Sequence, residues 1–294
     1  MDMLAGKRLV IFGCGYVGAA VAERAMAAGA RVIALTRNAE KASALRAAGI
    51  ETVVAELADD RWHGLIEGTP DFVLNCVSSG GGGAEAYRRS YVDGLRSILT
   101  WARAHGPAGT LLYTSSTSVY AQRDGMIVDE TMPTVASSDR AAVLIEAERL
   151  VRECGAAARR WWILRLAGIY GPGRFHLLEQ VRTGEVAGVG THHLNLIHRD
   201  DIVAAVLAAL TAPASEGNEA LNLADDGRAL KSEVVGWLAA QLAVPMPRFS
   251  GAPAGGRRAV TPDRVIANAR AKAVLGWRPV FPTFREGCAS LLSP

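Results

Sequence analysis

A glycine loop close to the chain start most constrains what this sequence can become. Gly13-Cys14-Gly15-Tyr16-Val17-Gly18 lies between an apolar run, Arg8-Leu9-Val10-Ile11-Phe12, and an Ala-rich helical stretch, Val17 to Ala28. A GxGxxG pattern arises easily by chance in a chain with 31 glycines. A strand before it and a helix after it make it informative. In that setting Gly13 permits the tight turn, Gly15 lets a pyrophosphate approach the backbone, and Gly18 lets helix and strand pack closely. The free N–H groups and positive dipole end of the helix would face the phosphates. The loop therefore predicts a dinucleotide site at Gly13, Gly15, Tyr16, Val17 and Gly18.

The following sequence keeps the same rhythm. Strands are expected at Arg31 to Thr36, Thr52 to Ala55, Phe72 to Val77, Gly109 to Ser115 and Trp161 to Leu166. Helical patterns separate them at Ala39 to Ala48, about Ala84 to Ala104, and about Asp139 to Cys154. Such alternation implies a parallel sheet covered on both faces, an α/β Rossmann-type doubly wound fold. After about residue 170 the rhythm loosens. Strands are expected at His193 to Ile197 and Ala220 to Leu223, and helices at Ile202 to Thr211 and Ser232 to Leu242. The Pro- and Gly-rich stretch from Pro245 to Gly256 reads as an exposed loop. Residues 1–170 are read as the cofactor domain, and 171–294 as a smaller substrate-side lobe interleaved with it.

Composition narrows the function classes. The 294 residues carry a formal net charge of only +3, and the basic residues are scattered, so no nucleic-acid surface is indicated. No apolar run reaches the roughly 18–20 residues that crossing a bilayer needs. The first residues lead directly into a strand and the glycine loop, so removal of a signal there would destroy the site, and a cytoplasmic location is expected. Cys14, Cys76, Cys154 and Cys288 lack metal-binding spacing and read as reduced thiols; no metal is expected.

Cofactor choice is read at the end of the second strand, about 20 residues beyond the loop, where NAD sites place an acid against the ribose 2′-OH. Here Thr36-Arg37 stands instead, with no carboxylate before Glu40. An Arg at this turn pairs with a 2′-phosphate through charge-assisted hydrogen bonds. NADP is the expected cofactor, with NAD the alternative.

Three further segments carry a resemblance. They are Tyr113-Thr114-Ser115-Ser116-Thr117-Ser118-Val119-Tyr120, Arg165-Leu166-Ala167-Gly168-Ile169-Tyr170-Gly171-Pro172-Gly173-Arg174, and Ile197-His198-Arg199-Asp200-Asp201. With the glycine loop and a closing Leu275-Gly276-Trp277-Arg278-Pro279, the chain resembles the extended short-chain dehydrogenase/reductase superfamily, the nucleotide-sugar epimerase and dehydratase group. The resemblance implies cofactor contacts at Leu57 near the adenine, at Cys76 and Val77 near the ribose and pyrophosphate, and at Leu166 and Ala167 near the nicotinamide. It also implies a nucleotide-sugar-like substrate and allows a homodimer.

The family's chemistry uses a Ser or Thr after the fifth strand with Tyr-x-x-x-Lys on the next helix, a tuned phenol acting as general acid and base. Ser116 matches the Ser, read as catalytic or substrate-orienting, with a hydroxyl that only satisfies local backbone groups as the alternative. Aligning Glu148 with the family's helix Glu puts Arg140 at the Tyr position and Leu144 at the Lys position. No Tyr occurs between Tyr120 and Tyr170, and no Lys between Lys41 and Lys231, so the pair is absent. Leu144 falls on an apolar stripe with Ala141, Ala147 and Val151 and is read as core. Arg140, a guanidinium that stays protonated in proteins, cannot donate a proton but could hold an anion. Tyr120 is the candidate replacement acid, with structural packing its alternative. Tyr91, where the family commonly has Asn, could reach the nicotinamide pocket, but reads first as an aromatic buried between helix and sheet. His198 reads as a strand-end hydrogen bonder, Asp200 or Asp201 as a helix cap, and Arg174 as a contact for an anionic substrate or a solvated loop residue. Two functions stay open: an NAD(P)-dependent oxidoreductase, epimerase or dehydratase acting on a sugar-like or small carbonyl substrate, and a non-catalytic NADP sensor or partner-binding module.

Overall fold

The computed structural model describes residues 2–79, 81, 83–251 and 262–292. Seven parallel strands form its central sheet. They are β1 (Arg8–Phe12), β2 (Arg31–Thr36), β3 (Glu51–Val54), β4 (Phe72–Asn75), β5 (Thr110–Ser116), β6 (Trp161–Leu166) and β7 (Glu219–Leu223). The spatial order is β3-β2-β1-β4-β5-β6-β7. The order reverses between β1 and β4, which pair from Leu9 opposite Phe72 to Phe12 opposite Asn75. Loops leaving the carboxyl ends of two such strands diverge to opposite faces and open a crevice, the place where doubly wound sheets bind ligands.

Residues alternate between two cores, as a strand covered on both faces requires. Leu9 and Ile11 join one core with Val21 and Ala22 of α1 (Tyr16–Ala27). Val10 and Phe12 join the other with Trp62 and Trp101. Helix α2 (Ala39–Ala47) links β2 to β3. The crossover after β4 runs through Ala84–Arg88 and a π-helical turn, Arg89–Asp93, into α3 (Gly94–His105). Helix α4 (Asp139–Arg152) follows β5 and places Leu144 and Val151 in the core. Helix α5 (Arg199–Thr211) packs beside α1, burying Ile202 and Val206.

Residues after 170 do not fold apart from the sheet. They supply β7, which pairs with β6 from Glu219 opposite Trp162 to Leu223 opposite Leu166. They also supply Arg264–Ile266, paired in parallel with Met126–Val128. A third core holds Tyr170, Leu178, Val234, Leu238 and Phe284.

Several expectations are corrected. The expected loop contains a short strand, Arg248–Phe249, paired with Glu185–Val186, while residues 252–256 of that stretch lie outside the described residues. Helix α5 begins three residues before Ile202, and its cap is neither Asp200 nor Asp201 but His198, whose Nδ1 accepts from the Asp200 N–H at 3.2 Å. Asp201 is instead fully buried and accepts from the N–H groups of Val280 and Phe281, at 2.6 and 3.2 Å. Among the described residues no helix is long and apolar enough to cross a membrane, and no cluster of His, Cys, Asp and Glu could hold a metal.

Candidate functional site

The crevice between β1 and β4 is a cavity of about 540 Å³. The glycine loop forms its floor, with each glycine in a different environment. Gly13 has φ +91°, and a Cβ there would lie 2.5–2.7 Å from the backbone of Val77 and Cys76. Gly18 has the Gly13 carbonyl and the Cys76 sulfur 2.6 and 2.8 Å from where its Cβ would stand. Gly15 faces open space, with only the Gly13 carbonyl at 4.0 Å. Two glycines thus close the turn, and the third leaves an uncovered cradle at the start of α1.

At one end the cavity is lined by Thr36, Arg37, Asn38, Lys41, Glu56 and Leu57. Asn38 caps α2, its Oδ1 accepting from the Lys41 N–H at 2.8 Å, so the first turn of that helix opens here. Arg37 donates to the Ser79 carbonyl at 3.0 Å and lies 3.9 Å from Glu56, half exposed. Two cations against one carboxylate leave this end with room for an added anion. At the other end stand Ser116, Leu166, Ala167, Ile169 and Arg174, and between the ends lie Cys76, Val77, Ser90 and Tyr91. Ser116 Oγ accepts from the Ser118 N–H at 3.2 Å, leaving its own proton free to be donated elsewhere. The Tyr16 hydroxyl donates to the Pro172 carbonyl at 3.0 Å, and the guanidinium carbons of Arg174 and Arg199 lie 5.2 and 5.3 Å from its ring centre.

The structure brings Gly13, Gly15, Tyr16, Val17, Arg37, Leu57, Cys76, Val77, Ser116, Leu166, Ala167 and Arg174 to one cavity, with Gly18 packed beneath it. Tyr120 and Arg140 are not among the lining residues. Tyr120 is fully buried, accepting from Arg165 Nη1 at 2.6 Å and donating to Asn222 Oδ1 at 2.9 Å. Burial raises its phenol above the ordinary value, against the opposing charge of Arg165. A phenol committed on both sides and shut away from the cavity is a structural post, so the reading of Tyr120 as replacement acid gives way to its packing alternative. Arg140 is exposed on the first turn of α4, its guanidinium 5.4 Å from the centre of the Tyr87 ring. Tyr91 is only partly covered and lines the cavity, which favours the reading in which it reaches the pocket over burial alone.

Sequence reasoning missed Lys41, Asn38, Ser90 and Ile169 as lining residues. Asn38 directly before the Ala39–Ala47 helical run, with Glu40 in its first turn, is a helix-start pattern that could have placed Asn38 and Lys41 beside Arg37.

Such a sheet and crevice define a Rossmann-type dinucleotide-binding protein. The chain belongs to the NAD dependent epimerase/dehydratase family, whose sequence model matches residues 9–224. It is 26% identical over 282 residues to Protein YeeZ of Escherichia coli (strain K12), covering 94% of this chain and 97% of that protein. A solved structure of a putative NAD-dependent epimerase/dehydratase from Methylobacillus flagellatus is 29% identical, with a TM-score of 0.75 and 97% of each chain covered. The fold is also that of a UDP-glucose 4-epimerase from Thermotoga maritima, solved with UDP-glucose, at 16% identity, a TM-score of 0.83 and 97% of each chain.

Proposed function

We propose that this chain is an NADP-dependent oxidoreductase of the epimerase/dehydratase kind, acting on a sugar-like or small carbonyl substrate that carries an anionic group. The observation that carries this reading is one continuous cavity with Arg37 and Lys41 at one end and Ser116 and Arg174 at the other. The uncovered cradle at Gly15 fits a pyrophosphate, and the cationic end fits a 2′-phosphate better than a bare ribose. When bound, the dinucleotide supplies hydride chemistry. Gly13, Gly15, Tyr16, Val17, Cys76 and Val77 would hold its phosphates and ribose, Leu57 its adenine, and Leu166 and Ala167 its nicotinamide. Ser116 holds the substrate oxygen by a hydrogen bond. Arg174 draws in the substrate's anionic group, a role consistent with a nucleotide sugar such as the one bound to the Thermotoga protein.

A second reading, an NADP-responsive protein without turnover, is favoured by one observation. The position of the family's Lys holds Leu144, which is 2% exposed and packed in the core. Fluorescence titration with NADPH and NADH, followed by NADPH oxidation against aldehydes, ketones and nucleotide sugars, separates the readings. Tighter NADPH binding with turnover that falls in Ser116→Ala supports the enzyme. Tight binding with no turnover on any substrate supports the sensor. No saturable binding at millimolar cofactor removes both.

A further inference from the structure

Loss of the helix Tyr and Lys leaves the site without its usual proton carrier, and the cavity wall offers a replacement on a different element. Tyr16 and Tyr91 are the two phenols that line the cavity. Tyr16 is held against the glycine loop by Pro172, Arg174 and Arg199. Tyr91 lies in the π-helical turn Arg89–Asp93, where one extra residue per turn breaks the 3.6-residue repeat as the crossover passes the cavity. Such turns concentrate at functional sites because they re-aim side chains.

Behind Tyr91 packs Tyr87, itself only partly covered. The Tyr91 ring centre is 4.4 Å from that of Tyr87, and the Arg140 guanidinium lies over the outer Tyr87 ring. Burial raises the Tyr91 phenol above its ordinary value, opposed by a hydrogen bond with Tyr87, one with the Ser79 backbone, and the charge of Arg140. Burial also raises the thiols of the cavity region. Burial pushes Cys14 up to about 11 and holds Cys76 higher still.

We propose that Tyr91 is the proton donor and acceptor of this site, replacing the absent helix tyrosine, with Tyr87 and Arg140 as positioning residues between it and water. This inference rests on the cavity being a nicotinamide site. In the reducing direction a bound reduced dinucleotide would supply hydride, with its electron pair, to the carbonyl carbon. The C=O π pair moves onto oxygen, which takes the Tyr91 proton to become the alcohol. The Tyr91 phenolate regains a proton from water by way of Tyr87. The carbonyl is reduced and the dinucleotide oxidised. Arg140, at the position of the family's Tyr, acts through charge and donates no proton.

The test needs no known substrate. Tyrosinate absorbance near 295 nm is titrated in the protein alone and saturated with NADP⁺, whose positive nicotinamide ring stabilises a phenolate beside it. The native protein should show one tyrosine ionising at least about one pH unit lower with cofactor, since a favourable charge a few ångströms away shifts a pKa by that order. Tyr91→Phe should remove this titration while cofactor affinity stays within twofold. Arg140→Leu, an exposed change that spares the fold, should move it back toward higher pH. Once a substrate is found, Tyr91→Phe should lower kcat about 100-fold or more and flatten one limb of its pH profile. A cofactor-linked tyrosinate that persists in Tyr91→Phe, or kcat kept within threefold, overturns the assignment. A native protein that binds cofactor but shows no such titration also overturns it. Absence of saturable cofactor binding would instead defeat the parent reading.

Discussion

Arg165 and Glu148 form a two-pronged ion pair between β6 and α4. Arg165 Nε donates to Oε1 at 2.9 Å and Nη2 to Oε2 at 2.7 Å, with both side chains only 3% exposed. Ser115 Oγ and Arg152 Nη2 also donate to the carboxylate, at 2.8 and 3.2 Å, and Arg165 Nη1 donates to Tyr120. One carboxylate therefore fixes α4 to the strand ends that frame the cavity. Glu148 is thus an anchor of α4 within the core.

Removing one partner of this pair should be far worse than removing both. Glu148→Ala leaves a buried guanidinium uncompensated and should cost about 3–5 kcal/mol. Glu148→Leu combined with Arg165→Met should recover most of that loss, because the apolar replacements carry no desolvation cost. Urea denaturation midpoints of the single and double variants measure the difference. A single variant as mild as a surface substitution would show that the pair contributes little.

The glycine loop offers a contrast between folding and binding. Gly13→Ala places a Cβ against the Val77 backbone at φ +91°, so strain and overpacking should together destabilise the protein by about 2–4 kcal/mol. Gly15→Ala meets open space at a negative φ and should change stability by less than about 1 kcal/mol. Yet its methyl group occupies the cradle, and dinucleotide affinity should fall tenfold or more. Thermal unfolding and cofactor titration of both variants check this. Equal loss of stability in the two would contradict the different environments of these glycines.

Arg37→Glu tests cofactor choice. Charge-assisted hydrogen bonds contribute about 1.5–3 kcal/mol each, so its removal should weaken NADPH binding by about 10- to 100-fold. NADH binding should change by only a few-fold. Parallel fluorescence titrations read both constants. An equal change for the two cofactors would place the 2′-phosphate elsewhere.

Asp225 should set a pH dependence of stability. It is 4% exposed, accepts from the Gly227 N–H at 3.0 Å, and burial pushes its carboxyl from 3.8 up to about 8, helped by Asp226, Asp201 and Glu286. Tyr170 and Cys288, both fully covered, respond to its charge. The folded state keeps a proton that the unfolded chain gives up above about pH 4, so stability falls as pH rises from about 4 to about 8. Asp225→Asn should remove this slope and exceed the native protein in stability by a few kcal/mol near pH 8. Denaturation at pH 5 and pH 8 decides it, and parallel curves for the two proteins would exclude Asp225 as the source.

The sheet was legible because its signals are local. Strand β1, the glycine turn and the Leu144 stripe each declare themselves within a few residues, and Leu144 is core as its spacing implies. Tyr120 was not legible, because its environment depends on Arg165 and Asn222, which lie 45 and 102 residues further along. Asp201 looked like a helix cap until the chain returned at Val280 and Phe281 to claim its carboxylate. Tyr91 stood between two readings for another reason. A π-helical turn shifts a side chain by one position without changing composition, and a 3.6-residue pattern cannot register that.

The pairing of β7 with β6 bears on how the molecule comes apart. The sheet's outermost ladder is supplied by residues 219–223, so the change of rhythm near residue 170 marks no seam. Unfolding of residues after 170 would take β7 from the sheet, so far- and near-ultraviolet circular dichroism should change together. A fragment ending at residue 170 would leave β6 with an unpaired backbone edge, the kind of surface that recruits neighbouring chains.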